Sequence, residues 1–531
     1  MDPPQSNTST FEEEKLILEA LRYARNDSIT TDHPFIASLN VNFDLSISAD
    51  WAVSRLESTS RLLTQVIGFI EKAVVSIKQE SERYHRGAGK RSTRTFLPDD
   101  IMCLVLSHLK DSPRYNRSRL FIPFAHTCRR FRELAINLPS LWASAYTNCK
   151  AEENAVYLER SKNAGLDINI RVEAGASVDH IMSFVKSILP HSHRWSTFKF
   201  DVYYYSMNSD VHFPVDDLVY LLRSLRESLG SIHLPKLREL HIYYCESWFD
   251  NNLLRPDFDI DFYASWNTPN LHCVYMNGVI PLHFPSSSSV TEVNISRSPP
   301  TGNPMNADEL IRFLGLFPNI TDLSLSLDSL SLDRPAVSPI CLAELQRLDL
   351  FVVFADEDEC LTLSHLLSSF SFPKVSNLDV TTYLNDTNDT GPWLSRLMGK
   401  SRFPQLTGLE IEVNYNQAVT GCCMLEEVLN GAPRLKELTL MLNDWDTEVI
   451  DVRRLQNTNL PALRSLRFLL SKQHSIHSIH SLVEALRKNE ANWDQFQRLE
   501  VVHEFPEYVK GIMEKVVPKE KLVVKEWGQN N

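Results

Sequence analysis

The chain has 531 residues, of which 43% are hydrophobic and 23% charged, with a formal net charge of -13. That length is too great for a single compact core, so several units or an extended repeat array are expected. The acidic balance works against nucleic-acid backbones and anionic membranes as principal partners, and no apolar run approaches the ~20 residues that a bilayer span requires.

The nine cysteines are scattered without a C-x-x-C pair, and Cys422-Cys423 are adjacent. This pattern suits neither a zinc knuckle nor a disulfide framework, so reduced thiols are expected and no metal or other cofactor is implied. Met1-Asp2-Pro3-Pro4 offers no basic stretch ahead of an apolar one. No secretory signal is therefore predicted, and cytoplasm or nucleus is the expected compartment.

Residues 1–47 read as a tail with one short helix, Phe11 to Arg25, carrying Leu16, Leu18 and Leu21. Residues 48–90 read as a longer amphipathic or coiled-coil helix, about Ala49 to Tyr84, followed by a hinge at Gly87-Ala88-Gly89-Lys90. Ser48 or Asp50 is available as its cap. Leu56, Leu63, Ile70 and Ile77 fall seven apart, with Val66 and Ala73 at the second seam position. A dimer through the 48–84 helix is one reading. Packing against its own chain is the other, favoured by the wide stripe that Leu62, Ile67, Phe69 and Val74 add. The basic cluster Arg83, Arg86, Lys90, Arg91 and Arg94 is either a solvated linker or a nuclear import signal.

Residues 91–146 form the next unit. Leu97-Pro98 opens a helix, because proline is tolerated in a first turn, and Asp99 and Asp100 suit its positive end. Ile101, Leu104, Val105 and Leu109 give it an apolar face. A second helix from about Leu120 carries Phe121, Phe124, Cys128, Phe131 and Ala135, and Leu138-Pro139-Ser140-Leu141-Trp142 follows. The order Leu-Pro, apolar face, Cys128-Arg129-Arg130-Phe131, Leu-Pro-x-Leu-Trp resembles an F-box, most closely the F-box-like group abundant in basidiomycete fungi. The resemblance covers roughly residues 50–200. It implies docking onto the Skp-type adaptor of a cullin-RING ubiquitin ligase, with Leu97, Pro98, Ile101 and Leu141 as adaptor contacts and Trp142 as an anchor at the module's end. Three departures bear on that docking. Thr127 stands where the family usually has an aliphatic residue, Phe131 replaces a common Trp, and the connection Asp111 to Arg119 is long and polar.

Residues 150–520 carry a recurring Pro-x-Leu-x-x-Leu-x-Leu pattern. Its prolines are Pro235, Pro269, Pro318, Pro373, Pro404, Pro433 and Pro461, and the last four are spaced 31, 29 and 28 residues apart. Copies without proline centre on Val293, Leu348 and Leu499, with an early degenerate one at Trp195, Phe198 and Phe200. Alternate residues of the Leu-x-Leu part face one side of a strand, and helical runs such as Leu310 to Leu316 precede several copies. One helix and one strand cannot bury their apolar sides alone, so neighbours must stack. The periodicity predicts an α/β solenoid, a leucine-rich-repeat-like horseshoe with an inner parallel sheet. Residues 521–531 are left as a C-terminal tail.

No catalytic or metal-binding constellation emerges. His474, His477 and His480 drift around a helix axis without a completing ligand, and Asp356 to Glu359 lacks the alternation and glycine of a calcium loop. Aromatics near predicted strand ends are the candidate substrate contacts: Tyr204, Tyr244, Trp248, Tyr383, Tyr415 and Trp445. Either they converge on one rim or they pack separately beneath loops. The F-box resemblance implies a non-catalytic substrate-recognition subunit of an SCF-type ubiquitin ligase, bound through the adaptor to a cullin scaffold, with the repeat arc holding a protein substrate. The alternative is a scaffold whose F-box-like segment caps the repeats without binding the adaptor.

Overall fold

The structure, a computed structural model, describes residues between Asp99 and Glu526, less 112–121, 246–260, 297–304, 332–339, 355–361, 385–396, 416–428, 444–459, 471–475 and some shorter gaps. The chain divides into two compact units, 1–94 with 530–531 and 95–529, and the described residues belong to the second. The helices expected over 1–47 and 48–90, the dimer reading and the adaptor candidates Leu97 and Pro98 lie outside the described residues.

Fourteen strands form one sheet whose spatial order is the order of the chain. They are β1 Ser144–Tyr146, β2 Leu166–Val172, β3 Trp195–Tyr203, β4 Glu239–Cys245, β5 Cys273–Asn277, β6 Glu292–Ser296 and β7 Asp322–Leu327. There follow β8 Arg347–Phe354, β9 Asn377–Leu384, β10 Gly408–Tyr415, β11 Glu437–Asn443, β12 Ser465–Leu470, β13 Arg498–His503 and β14 Leu522–Glu526. Every neighbouring pair is parallel. With helices packed on it, this is an α/β fold.

The period of two sorts each strand into two faces. Leu323, Leu348, Leu378, Leu409, Leu438 and Leu466 sit in register as one buried row, and Leu325, Leu350, Val380, Ile411, Leu440 and Phe468 as the next. Helices cover that face because their own spacing supplies matching stripes. Among them are Ile181, Phe184, Val185 and Ile188 from a helix at Val178–Ile188, and Leu218, Leu221 and Leu225 from one at Val215–Leu229. All join a single apolar cluster that runs from Ala143 to Val517.

The recurring proline has a defined place. In five copies the N–H two residues after proline donates to the carbonyl just before it: Leu237 to Leu234, Leu271 to Thr268, Ile320 to Phe317, Leu406 to Phe403 and Leu435 to Ala432. Proline therefore occupies the second position of a β-turn, which its fixed φ favours. Beyond the turn, one carbonyl of each copy accepts two consecutive N–H groups of the next. Gln346 O accepts from Ser376 and Asn377, Ser376 O from Thr407 and Gly408, and Thr407 O from Lys436 and Glu437.

A second, smaller core lies N-terminal to the sheet. It joins Leu106 of α1 (Asp99–Asp111), Ala135 of α2 (Arg129–Asn137), Leu141 and Trp142 of a 3-10 turn, and Tyr157 of α3 (Ala151–Arg160). Cys128 caps α2, its Sγ accepting from the Phe131 N–H at 3.5 Å. Asn154 of α3 closes the edge of β1, donating to Tyr146 O at 2.9 Å and accepting from Tyr146 N at 3.3 Å. That device satisfies backbone groups that an edge strand otherwise leaves open.

Two expected boundaries are corrected. The sheet starts at Ser144, inside the unit drawn to 146, because Ala145 pairs with Ile168 and is buried. It also continues through Leu522–Glu526, the start of the expected tail, because Val524 pairs with Val501.

Two variants test this packing. Leu378→Ala removes a fully buried row member and is expected to cost about 3 kcal/mol. Gly278 has φ +81°, and a Cβ there would lie 2.2 Å from Tyr244 O, so Gly278→Ala is expected to cost about 2 kcal/mol or more. Urea titration of either variant within ~0.5 kcal/mol of the parent would contradict the packing described.

Candidate functional site

The face opposite the helices is built from the residues between the buried ones. On β8 these are Arg347, Asp349 and Phe351, on β9 Asn377, Asp379, Thr381 and Tyr383, and on β10 Glu410 and Glu412. They are exposed or half-buried, whereas Leu348, Leu350, Leu378, Val380, Leu409 and Ile411 between them are buried. The face falls into three zones.

The first, on β3 to β6, is aromatic and hydrogen-bonded. His241 stacks on Tyr275 with centroids 4.3 Å apart, and Tyr203 lies 5.3 Å from Tyr243. His241 Nε2 lies 3.2 Å from Glu239 Oε2, Tyr275 Oη donates to Glu292 at 2.6 Å, and Cys273 Sγ donates to the other Glu292 oxygen at 3.5 Å. Burial pulls the His241 imidazole below its ordinary value despite the Glu239 hydrogen bond. Burial, then the charge of Glu292, pushes the Cys273 thiol up to about 12. That thiol stays protonated at neutral pH, the reverse of an activated nucleophile.

The second zone, on β6 to β10, is acidic. Arg347 bridges two carboxylates, donating from Nε to Asp349 at 3.0 Å and from Nη2 to Asp379 at 2.8 Å. Burial, then the hydrogen bond and charge of Asp349, push Asp379 up to about 6. Burial also raises Glu410, and the nearby charge of Glu412 adds to it. Between the two zones lies a hollow of about 370 Å³ lined by Glu292, Asn294, Asp322, Ser324, Arg347 and Asp349.

The third zone surrounds Glu500, only 8% exposed, which faces Lys525 at 2.9 Å, Arg467 at 3.6 Å and Arg498. Burial acts to raise this carboxyl, but the Lys525 hydrogen bond and the cations' charges hold it below its ordinary value.

Of the predicted substrate contacts, Tyr244 and Tyr383 have described side chains, and they fall on opposite faces of the sheet. Tyr204, Trp248 and Trp445 lie outside the described residues, and of Ile101 and Tyr415 only the backbone is described, in α1 and at the end of β10. Tyr383 is on the open face, 5.3 Å from Phe351. Tyr244 is a correction. It is 3% exposed and in phase with Leu240 and Ile242, so it belongs to the core. Leu141, expected to meet the adaptor, is buried, and so is Trp142, expected as the module's anchor. Trp142 donates to Ala135 O at 2.7 Å, lies 5.6 Å from Tyr157 and carries Arg160 over its ring at 4.4 Å.

The carboxylates of the acidic zone are visible in the sequence as the x of Leu348-Asp349-Leu350, Leu378-Asp379-Val380 and Leu409-Glu410-Ile411, outward positions that aromatic content does not mark. His480 lies 3.9 Å from Glu484, while His474, the His477 side chain and Asp356 to Glu359 fall outside the described residues. Among the described residues, no group of three or more His, Cys, Asp or Glu is placed to hold a metal ion, and no helix is long and apolar enough to cross a membrane. No family model and no curated protein matches the chain.

The raised Asp379 carries a pH dependence. Folding favours its protonated form, so stability falls as pH rises from the unfolded value near 4 to about 6. Asp379→Asn is expected to raise stability at pH 7 by about 1 kcal/mol, after allowance for solvent screening. The gain should vanish below pH ~4. Thermal melts that show the same gain at both pH values would contradict this origin.

Proposed function

We propose that the protein is a non-catalytic substrate receptor of an SCF-type ubiquitin ligase. The F-box-like segment at 91–146 holds the Skp-type adaptor, and through it a cullin scaffold. The sheet and its helices form a leucine-rich-repeat-like α/β solenoid, a horseshoe whose open face holds a protein substrate. Ubiquitin transfer then follows from proximity, since tethering raises the concentration of target lysines near a recruited conjugating enzyme.

The observation that carries this reading is the pairing of two features in one chain. One is the small helical core of Leu106, Ala135, Leu141, Trp142 and Tyr157, built from the residues that resemble an F-box. The other is a long sheet face of polar, charged and aromatic side chains, on strands whose opposite side is buried from β2 to β13 among the described residues. The protonated Cys273 and the ion-paired carboxylates suit recognition better than bond-breaking.

A second reading also has an observation behind it. Trp142 and Tyr157 fasten the helical segment to α3, and α3 closes the edge of β1. The segment is thereby suited to be a cap for the sheet in a scaffold protein that binds no adaptor.

Co-purification with the host's Skp-type adaptor separates the two. The receptor reading expects capture by the parent chain and its loss in Leu97→Ala/Pro98→Ala. Leu104 of α1 is 57% exposed, so Leu104→Asp is expected to lower capture about 10-fold with an unchanged Tm. A folded parent chain that captures no adaptor would overturn the receptor reading and leave the scaffold.

A further inference from the structure

The centre of the open face has a composition that selects a partner. Across β6 to β10 its described positions hold six carboxylates, Glu292, Asp322, Asp349, Asp379, Glu410 and Glu412, against one guanidinium, Arg347. Arg347 is engaged with Asp349 and Asp379, which leaves the zone strongly negative. The carboxyls of Asp379 and Glu410 are raised, as expected where burial and like charges act together.

The relief of the face is independent of its charge. On β6 and β7 the open positions are small and polar, Asn294, Ser296, Ser324 and Ser326. On the flanking strands Tyr275 stands level with Asn294 and Ser324, and Phe351, one step further along, level with Ser296 and Ser326. The result is a low floor between strands three spacings apart, roughly 14 Å, and the 370 Å³ hollow lies over its β6 and β7 positions and the start of β8. That width admits an extended chain, and the hollow admits side chains rather than a helix.

We infer that this floor receives an extended, lysine- or arginine-rich segment of a partner protein, one cationic side chain entering the hollow between Glu292, Asp322 and Asp349. The stem of that side chain runs along the small floor and the flanking rings, as long cationic side chains do on partly apolar surfaces. Its head replaces water at carboxylates that repel one another in the free protein. A segment rich in Asp or Glu is rejected by the same charges, so the zone discriminates by repulsion as well as attraction. This inference rests on the reading that the open face docks a protein.

The test uses the full chain with two labelled probes of equal length, a lysine-rich and a glutamate-rich peptide, in fluorescence anisotropy at low and moderate salt. The lysine peptide is expected to bind at least ~10-fold tighter than the glutamate peptide and to weaken with salt. Asp322→Asn/Asp349→Asn should lower its affinity about 10-fold, and Ser324→Lys should abolish binding by placing a second cation in the hollow beside Arg347. Asp216→Asn/Asp217→Asn removes the same charge from an exposed helix start and should change nothing. Equal binding of both peptides, or equal loss in the helix variant, would overturn the inference. A photo-crosslinker at position 326 separates this failure from failure of the docking reading. Crosslinks to host proteins without lysine-peptide binding overturn the basic segment alone. Absence of both overturns the docking face as well.

Discussion

The structure depends on the register between successive copies. Because side chains alternate with a period of two, a slip of one residue would turn every leucine of a strand outward and every carboxylate inward. The entry hydrogen bonds prevent it. One carbonyl accepts two consecutive N–H groups of the following copy, repeatedly from Arg238 through Arg464. Thr321 and Thr407 reinforce the stack, each hydroxyl donating to the same preceding carbonyl at 3.1 and 3.2 Å. The proline turns set the angle at which each copy enters this stack. The core on one face and the charge pattern on the other are two results of one alignment.

The strands were legible wherever the motif was intact. Each proline-bearing copy, and each copy centred on Val293, Leu348 or Leu499, became a strand of the sheet. β2 was missed although Leu166, Ile168, Ile170 and Val172 alternate cleanly, because no proline turn precedes it. β14 was missed because Leu522-Val523-Val524 is apolar without alternation, and only pairing with β13 reveals it as a strand. The candidate site was less legible. Tyr244 stands near a strand end, where a rim contact is expected, yet counting by twos from Leu240 places it in the core. The same count places His241, Asp379 and Glu410 outward. How the zones differ in charge could be read only after the register put Glu292 beside Asp322, and Asp379 beside Glu410.

A row of like charges on adjacent strands works against the fold, and the sheet tolerates it through distribution. Arg347 divides its donors between Asp349 and Asp379, and the half-exposure of these side chains keeps solvent screening available. The Glu500 site solves the opposite problem. A single carboxylate, 8% exposed, serves three cations and stays ionised because removing it would leave those charges without their shared partner. One zone holds surplus negative charge near solvent, whereas the other gathers three cations around one buried anion. Only the first has negative charge left over, which is why an incoming cation is better matched to the centre of the face than to its C-terminal end.

Helix α3 joins the two cores in consecutive residues. Tyr157 packs with Trp142 and Leu141 in the small core, while Leu158 belongs to the large one. Arg160 lies over the Trp142 ring, and Asn154 of the same helix holds the edge of β1. A rotation of α2 and its 3-10 turn against α3 would therefore have to break an apolar core and a cation–π contact together. In the proposed receptor this stiffness has a purpose, because transfer by proximity gains from a fixed span between adaptor and substrate and loses from a hinged one. The burial of Leu141 and Trp142 is consistent with that division of labour. They secure the joint, and in the proposed receptor recognition of the adaptor falls to the exposed Leu104 of α1, beside the acidic first turn.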